Sequence, residues 1–333
     1  WGKFQRADEA ARARMLALEA GRGTVLASLY ANVAQGYFAL RGFDAQVALA
    51  EQTLATRREN LRLQQKRFEG GAVGELDVQQ AAAEAAAIEA TLLTAQQNRR
   101  ATEALLATLL GRSPAAIVQP VIARGTALET LYTRAAVPAE LPSDLLNRRP
   151  DLVAAEQQLV AANADIGQAK AAYYPTIKLT AGLGYESRQL STLFEPSSLF
   201  WNLASGITQP LFRAGSIDAV VAGAEARKAQ ATAQYALAVQ GAFRDVHDSL
   251  NAIASAEALV TTAEKRIVAL REVLRLANLR YSNGYSSYLE VLNAQRDLSQ
   301  AEAGVIDVKR AQLAGVVALY KAMGGGWATP AKS

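Results

Sequence analysis

Apolar and small residues recur in alternating steps of three and four through two long stretches of the chain. In the later stretch they fall at Phe243, Val246, Leu250, Ile253, Ala256, Val260, Ala263, Ile267, Leu270, Leu274, Ala277 and Tyr281. That spacing is the seam of a coiled coil, because 3.5 residues per step keeps one helix face turned to a partner. The earlier stretch has the same phase at Tyr30, Val33, Tyr37, Leu40, Phe43, Val47, Ala50, Leu54, Leu61 and Phe68. Both copies insert a second consecutive three-step, at Leu40–Phe43 and Ile253–Ala256, which changes the local supercoil. The pattern predicts helices from about Ala10 to Phe68 and from about Ala222 to Tyr281. Each is roughly 60 residues, or ~90 Å, against an average of about 12 residues in globular proteins. Return helices follow over Leu76–Leu110 and Leu289–Met323, each ending near a glycine suited to a left-handed cap, Gly111 or Gly324.

Between these arms the period changes. Ile177, Leu179, Ala181, Leu183 and Tyr185 alternate with Thr176, Lys178, Thr180, Gly182, Gly184 and Glu186, a strict period of two. A second strand is predicted over Phe200–Gln209, with Trp201, Leu203 and Ile207 on one face and Asn202, Gly206 and Thr208 on the other. Strands of about 10 residues, apolar on one side, suit a membrane β-barrel. From the pattern alone a half-buried hairpin in a soluble sheet is the stronger reading, since the barrel signal is weak in any one strand. An isolated hairpin is marginally stable, so these strands need partners outside the segment.

The two arms are copies. An offset of 213 residues without a gap carries Leu61-Arg62-Leu63, Arg67 and Gly71 onto Leu274-Arg275-Leu276, Arg280 and Gly284. It also carries Leu76, Val78 and Ala81 onto Leu289, Val291 and Ala294, Val33 onto Val246, and Gly111 onto Gly324. The nine prolines respect the division: none lies in 1–113 or 211–329. Proline breaks a helix interior by removing a donor and clashing with the preceding turn, so two proline-free arms flank a punctuated centre. There, Pro142-Ser143-Asp144 suits the start of a short helix, Leu145–Asn147, and Pro150 with Asp151 opens another that runs to about Ala172. The expected organisation is a first helical hairpin over 1–113, a linker with short helices over 114–174, a β-hairpin over 175–210, a second helical hairpin over 211–326, and a tail over 327–333.

Composition narrows the function. Among 333 residues the hydrophobic half is inflated by alanine and only 7% are aromatic, as in long helices packed at small radius. The net charge of +4 is mixed along the chain, with no basic stripe to point to nucleic acid. With no cysteine, a single histidine (His247) and two methionines, neither a thiolate metal site nor a soft-metal site is expected. No cofactor is expected either. There is no Gly-rich phosphate loop and no carboxylate cluster outside helix faces, which argues against an enzyme. No run of about 18 apolar residues marks a transmembrane helix.

Three passages go further. Leu141-Pro-Ser-Asp-Leu-Leu-Asn-Arg-Arg-Pro-Asp-Leu152, Ala171-Ala-Tyr-Tyr-Pro-Thr-Ile177 and Thr208-Gln-Pro-Leu-Phe-Arg-Ala-Gly215 closely resemble the TolC-like and NodT-like outer membrane factors, and the two turn passages match as well. The resemblance covers essentially the whole chain. It implies a homotrimer in the bacterial outer membrane, with a 12-stranded barrel fed by four strands per protomer and a long periplasmic α-barrel. It also implies a periplasmic adaptor and an inner-membrane RND-type pump as partners, and many relatives are lipoproteins. The expected fold is therefore mainly α, with paired helical hairpins in two repeats and a β-hairpin contributing to a trimeric barrel. Because Gly2 aligns with Gly215, the helix and strand pair that should precede the first repeat are missing, and a fragment is expected.

By the same resemblance, Leu289, Glu290 and Asn293 form the pore gate, with Asn293 standing where relatives usually carry a second aspartate. Asp77 and Tyr281 match a latch between the hairpins, while the position of a latch arginine holds Ser286. The turns Val73-Gly74-Glu75 and Gly284-Tyr285-Ser286 meet the adaptor. Leu179, Leu183, Tyr185 and Trp201 face lipid, and Lys178 and Glu186 face the lumen. Plain coiled-coil packing also accounts for Tyr281 and Leu289, and a tight reversal accounts for the glycines. The expected function is a passive efflux duct for small molecules such as drugs; a type I secretion duct and a soluble coiled-coil scaffold are the alternatives.

Overall fold

A computed structural model describes residues 1–118, 122–128 and 148–325. Its principal elements are α1 (Lys3–Glu69), α2 (Glu75–Leu109), α3 (Pro114–Val118), α4 (Pro150–Lys170), β1 (Thr176–Tyr185), β2 (Leu199–Thr208), α5 (Ser216–Ser282) and α6 (Tyr288–Ala322). The short helix expected at Leu145–Asn147 and the tail from 327 lie outside the described residues.

The 213-residue offset holds at the level of element boundaries. Both ends of α1 map onto both ends of α5, and both ends of α2 onto those of α6. The long helices begin earlier than the heptad seam alone suggested, by seven residues in α1 and six in α5. Gly2 and Gly215, with φ of 80° and 78°, mark those starts. The four long helices end the same way. Gly71, Gly284, Gly111 and Gly324 take positive φ, and the following amide closes back five residues: Ala72 N donates to Arg67 O, Tyr285 N to Arg280 O, Arg112 N to Ala107 O and Gly325 N to Tyr320 O. This is the Schellman closure, which satisfies carbonyls that a helix end leaves orphaned and calls for a residue without a Cβ.

The chain forms two compact units. The first comprises Trp1–Arg22 and Pro150–Gln240. Here α4 lies against the start of α1: Ala10, Ala13, Ala161 and Ala164 are buried, Arg14 pairs with Asp165 at 2.5 Å, and a Cβ on Gly167 would sit 2.9 Å from the Arg6 side chain. Small residues let the helix axes approach closely. The Ala171–Ile177 passage turns this helix into β1. Trp1 stacks on Tyr174 with ring centroids 5.1 Å apart, Tyr173 donates to Asp218, and Gln209 Nε2 donates to the Tyr173 carbonyl at 3.0 Å. Strands β1 and β2 pair antiparallel over ten residues each, from Thr176 opposite Thr208 to Tyr185 opposite Leu199.

The second unit comprises Gly23–Arg149 and Gly241–Ser333. Its cores are small and serial, as expected for paired helices. Leu40, Leu106 and Ile122 form one, with Val33 against it; Val246, Ile253 and Leu319 form its counterpart in the other repeat. The seam is narrower than the heptad pattern suggested. Leu40, Val47, Ala50 and Leu54 are buried, but Tyr30 and Phe68 are 65% and 44% exposed, and Phe243 is 43% exposed. Two antiparallel helices cover only one stripe of each other, so residues toward the edge of the stripe stay open.

Arg148 and Arg149, from the Leu141–Leu152 passage, also acquire a physical role. Arg149 is buried and donates to the carbonyls of Ala322 and Ala242 at 3.1 and 3.4 Å and to Asp245 Oδ2 at 3.0 Å. A cation at the last carbonyl of α6 offsets the negative end of the helix dipole. Gly324 lies so close to the Arg148 carbonyl that a Cβ there would come within 2.9 Å of its oxygen.

Candidate functional site at the hairpin turns

The residues singled out in sequence sit at the turn ends of the two helical hairpins, α1–α2 and α5–α6. A core of Ala81, Ala277, Tyr288, Val291, Leu292 and Ala294, flanked by Leu61, Leu274 and Tyr281, joins the two hairpins just behind the turns. Each turn has the same backbone closure, and the first turn of each return helix carries acids, Glu75 and Asp77 or Glu290, where the positive helix end favours them.

Tyr281 is the centre of the contact. Its hydroxyl donates to Gln64 Oε1 of the first hairpin at 3.3 Å, and its ring lies 5.3 Å from that of Tyr288. The Arg67 guanidinium sits over the ring, 5.1 Å from the centroid. Burial pushes the Tyr281 hydroxyl above its ordinary pKa; Arg67 opposes the shift, and Asp77 reinforces it by charge and hydrogen bonding. Tyr288 is 4% exposed and is raised chiefly by burial as well, with Tyr281 adding to the shift. The structure thus brings Asp77 and Tyr281 together, and adds Gln64 and Arg67 from α1. No arginine stands at Ser286, whose hydroxyl oxygen is buried without a partner.

On α6, Leu289, Glu290 and Asn293 lie together on the exposed side, opposite the buried Tyr288, Val291, Leu292 and Ala294. Glu290 is not a free acid: Arg280 Nε lies 3.2 Å from its carboxylate. Both partners are about half exposed, so the pair is worth little in stability. In the turns, Gly74, Glu75, Gly284 and Tyr285 are exposed, Tyr285 at 79%, while Val73 and Ser286 are half-buried.

Sequence reasoning missed a buried ionic cluster about two helical turns behind Gln64. Glu84, 3% exposed, accepts from Arg296 Nε at 2.7 Å, and Arg57 Nε lies 3.9 Å from its other oxygen. Arg57, 5% exposed, donates through Nη2 to the Gln295 carbonyl and to Ser299 Oγ, both at 3.3 Å. Burial lowers the Arg57 pKa from its ordinary value, and Glu84 opposes that shift. The signal was present: Leu54, Arg57, Leu61, Gln64 and Phe68 continue the steps of three and four, placing two polar residues on a seam meant for apolar ones.

In the first unit, the β-hairpin has two unlike faces. Directly opposed residues share a face, so Ile177, Leu179, Ala181, Leu183 and Tyr185 join Ile207, Ser205, Leu203, Trp201 and Leu199. Leu179, Leu183 and Trp201 are more than 70% exposed and Tyr185 about half. Lys178 lies on the opposite face with Thr176, Thr180 and Gly182. Gly182 makes room there for the Asn202 side chain, which lies where a Cβ would be, and the Phe200 ring comes within 3.2 Å of a Cβ placed on Gly184. Glu186 follows the strand and its amide extends the ladder to the Ser198 carbonyl at 2.8 Å.

Comparison with known proteins decides the family. The sequence matches the outer membrane efflux protein family over residues 1–112 and 141–325. The chain belongs to that family. It is 34% identical over 327 residues to the cation efflux system protein CusC of Escherichia coli O6:H1, covering 98% of this chain and 70% of CusC. It is 36% identical over 331 residues to the probable efflux pump outer membrane protein TtgC of Pseudomonas putida, covering 98% of this chain and 66% of TtgC. A crystal structure of CusC superposes with a TM-score of 0.90 at 33% identity, covering 98% of this chain and 75% of that one. Membership makes the chain a part of an outer membrane channel, neither an enzyme nor a soluble scaffold.

Proposed function

We propose that this chain forms the greater part of a trimeric exit duct of a tripartite efflux system, through which small molecules leave the cell without chemistry at the duct. One observation carries the reading: 67-residue helices in two congruent repeats are joined through a β-hairpin whose apolar face is left open by the described residues. Such a face is costly in water and favourable against lipid tails. Leu179, Leu183, Tyr185 and Trp201 take that role, and Lys178 faces the water-filled interior. The relatives named for cation and toluene efflux fit a duct that accepts unlike cargoes because it binds none of them.

The turn end is the regulated mouth. Leu289, Glu290 and Asn293 share an open helix face, and threefold repetition would make them rings. The rings would be apolar at Leu289, weakly charged at Glu290 because Arg280 pairs with it, and neutral at Asn293. Tyr281 and Asp77, with Gln64 and Arg67, hold the two hairpins together as a latch, and the turns Val73–Glu75 and Gly284–Ser286 receive the adaptor. Reconstituting the full-length protein in planar bilayers tests both parts. Channels that conduct little until Tyr281 and Asp77 are replaced support the duct and the latch; conducting channels unchanged by those replacements refute the latch, and absence of current from every variant refutes the duct.

A further inference from the structure

We propose that Arg57, Glu84 and Arg296 form the fulcrum of the mouth, the level at which the two hairpins stay joined when the turns part. The inference rests on the latch reading above but on different residues. Arg57 and Glu84 belong to the first hairpin; Gln295, Arg296 and Ser299 belong to the second. Three of the four polar contacts in the cluster therefore cross between hairpins: Arg296 to Glu84 at 2.7 Å, and Arg57 to the Gln295 carbonyl and Ser299 Oγ at 3.3 Å.

Burial separates this cluster from the latch. Glu84 and Arg57 are 3% and 5% exposed, whereas Tyr281 and Asp77 are only partly covered. A charge-assisted bond to a buried carboxylate costs far more to lose than a long, part-buried hydroxyl bond, because Glu84 would keep only the Arg57 guanidinium, 3.9 Å away. Thermal or partner-driven opening therefore breaks the Tyr281 contacts first, then parts the apolar core of Tyr288, Val291 and Leu292 behind them, and stops at the cluster, two turns beyond Gln64 or about 10 Å along the helix. The repeat supplies an internal comparison. At the equivalent positions the other copy has Leu270 for Arg57, Asp297 for Glu84, and Ala83 for Arg296. That set cannot rebuild the cluster, so the fulcrum belongs to one of the two hairpin faces. The two hairpins of one protomer then move as a unit above this level and separate only below it.

Hydrogen exchange on the full-length trimer tests the fulcrum without using the latch. In the wild type, the segments of α1 beyond Arg57 and of α6 before Arg296 lose their packing whenever the hairpins part, so they should fray and exchange as one faster block, with a step in protection at the cluster. Arg296→Gln is the informative variant, because the Arg296 side chain is 54% exposed and its loss leaves the Arg57–Glu84 pair in place. The step should move inward by one to two turns, with about tenfold faster exchange in the newly opened turns, as loss of one charged hydrogen bond implies. Arg296→Lys should restore the step, and neither variant should alter protection of α4. A step that stays put in Arg296→Gln, or a wild type with no step at the cluster, overturns the fulcrum. The latch stands or falls separately, on the current carried by Tyr281→Phe.

Discussion

Replacing Tyr281 with Phe isolates a single atom of the latch. The ring remains, so its contacts with Tyr288 and the Arg67 guanidinium, at 5.3 and 5.1 Å, are kept. What goes is the hydroxyl, with its bond to Gln64, at 3.3 Å long for its type, and its hydrogen bonding with Asp77. A half-exposed bond of that length contributes about 0.5–1 kcal/mol. If all three protomers must release together, the closed state loses about 1.5–3 kcal/mol, which multiplies the ratio of open to closed channels by about 10 to 150. Single-channel recording of the full-length trimer reads this as open probability, and the unitary conductance of an opening should not change. The melting temperature should move little, since the core of Leu292, Val291 and Tyr288 is untouched. An open probability within twofold of wild type would refute the reasoning, because it would mean that Gln64 and Tyr281 exchange one another for water at no cost.

Other expectations follow from the same geometry. Raising the pH above 10 should open the channel: Tyr281 and Tyr288 are held protonated above their ordinary value of 10.0, so their contribution is complete below that value and is lost as pH rises through the raised ones. Conductance titrations of wild type and Tyr281→Phe check this, and the variant should respond less. The glycine caps should not be equal: Gly324→Ala meets the Arg148 carbonyl as well as an unfavourable φ and should cost about 2–3 kcal/mol, while Gly111→Ala, with open space around it, should cost about 1 kcal/mol in thermal or denaturant unfolding. Leu183→Arg places a charge on the apolar face of β1 and should cost about 2–4 kcal/mol in lipid, lowering the yield of detergent-extracted trimer, whereas Thr180→Arg on the opposite face should be tolerated.

Much of this molecule is written as periodicity. The steps of three and four, the two proline-free arms and the 213-residue offset determined four helices, their pairing into two hairpins and, except for the early starts of α1 and α5, their ends to within a residue or two, because helix packing and capping are local rules that each segment obeys alone. The strict alternation at Thr176–Glu186 likewise determined which residues share a strand face. Pattern could not say what covers that face; lipid is the proposed occupant, in keeping with membership of the outer membrane efflux protein family. The site divides in the same way. Motif resemblance pointed to Tyr281, Asp77 and the Leu289–Asn293 face, but Gln64, Arg67 and the Arg57–Glu84–Arg296 cluster come together only through hairpin packing across more than 200 residues. Long-range contact depends on how two helices are rotated about their axes, and that rotation is set by the whole interface together. The sequence by itself made the two repeats alike; the tertiary structure decided where they differ, since Arg57 and Leu270 are equivalent positions and only one of them meets a buried carboxylate.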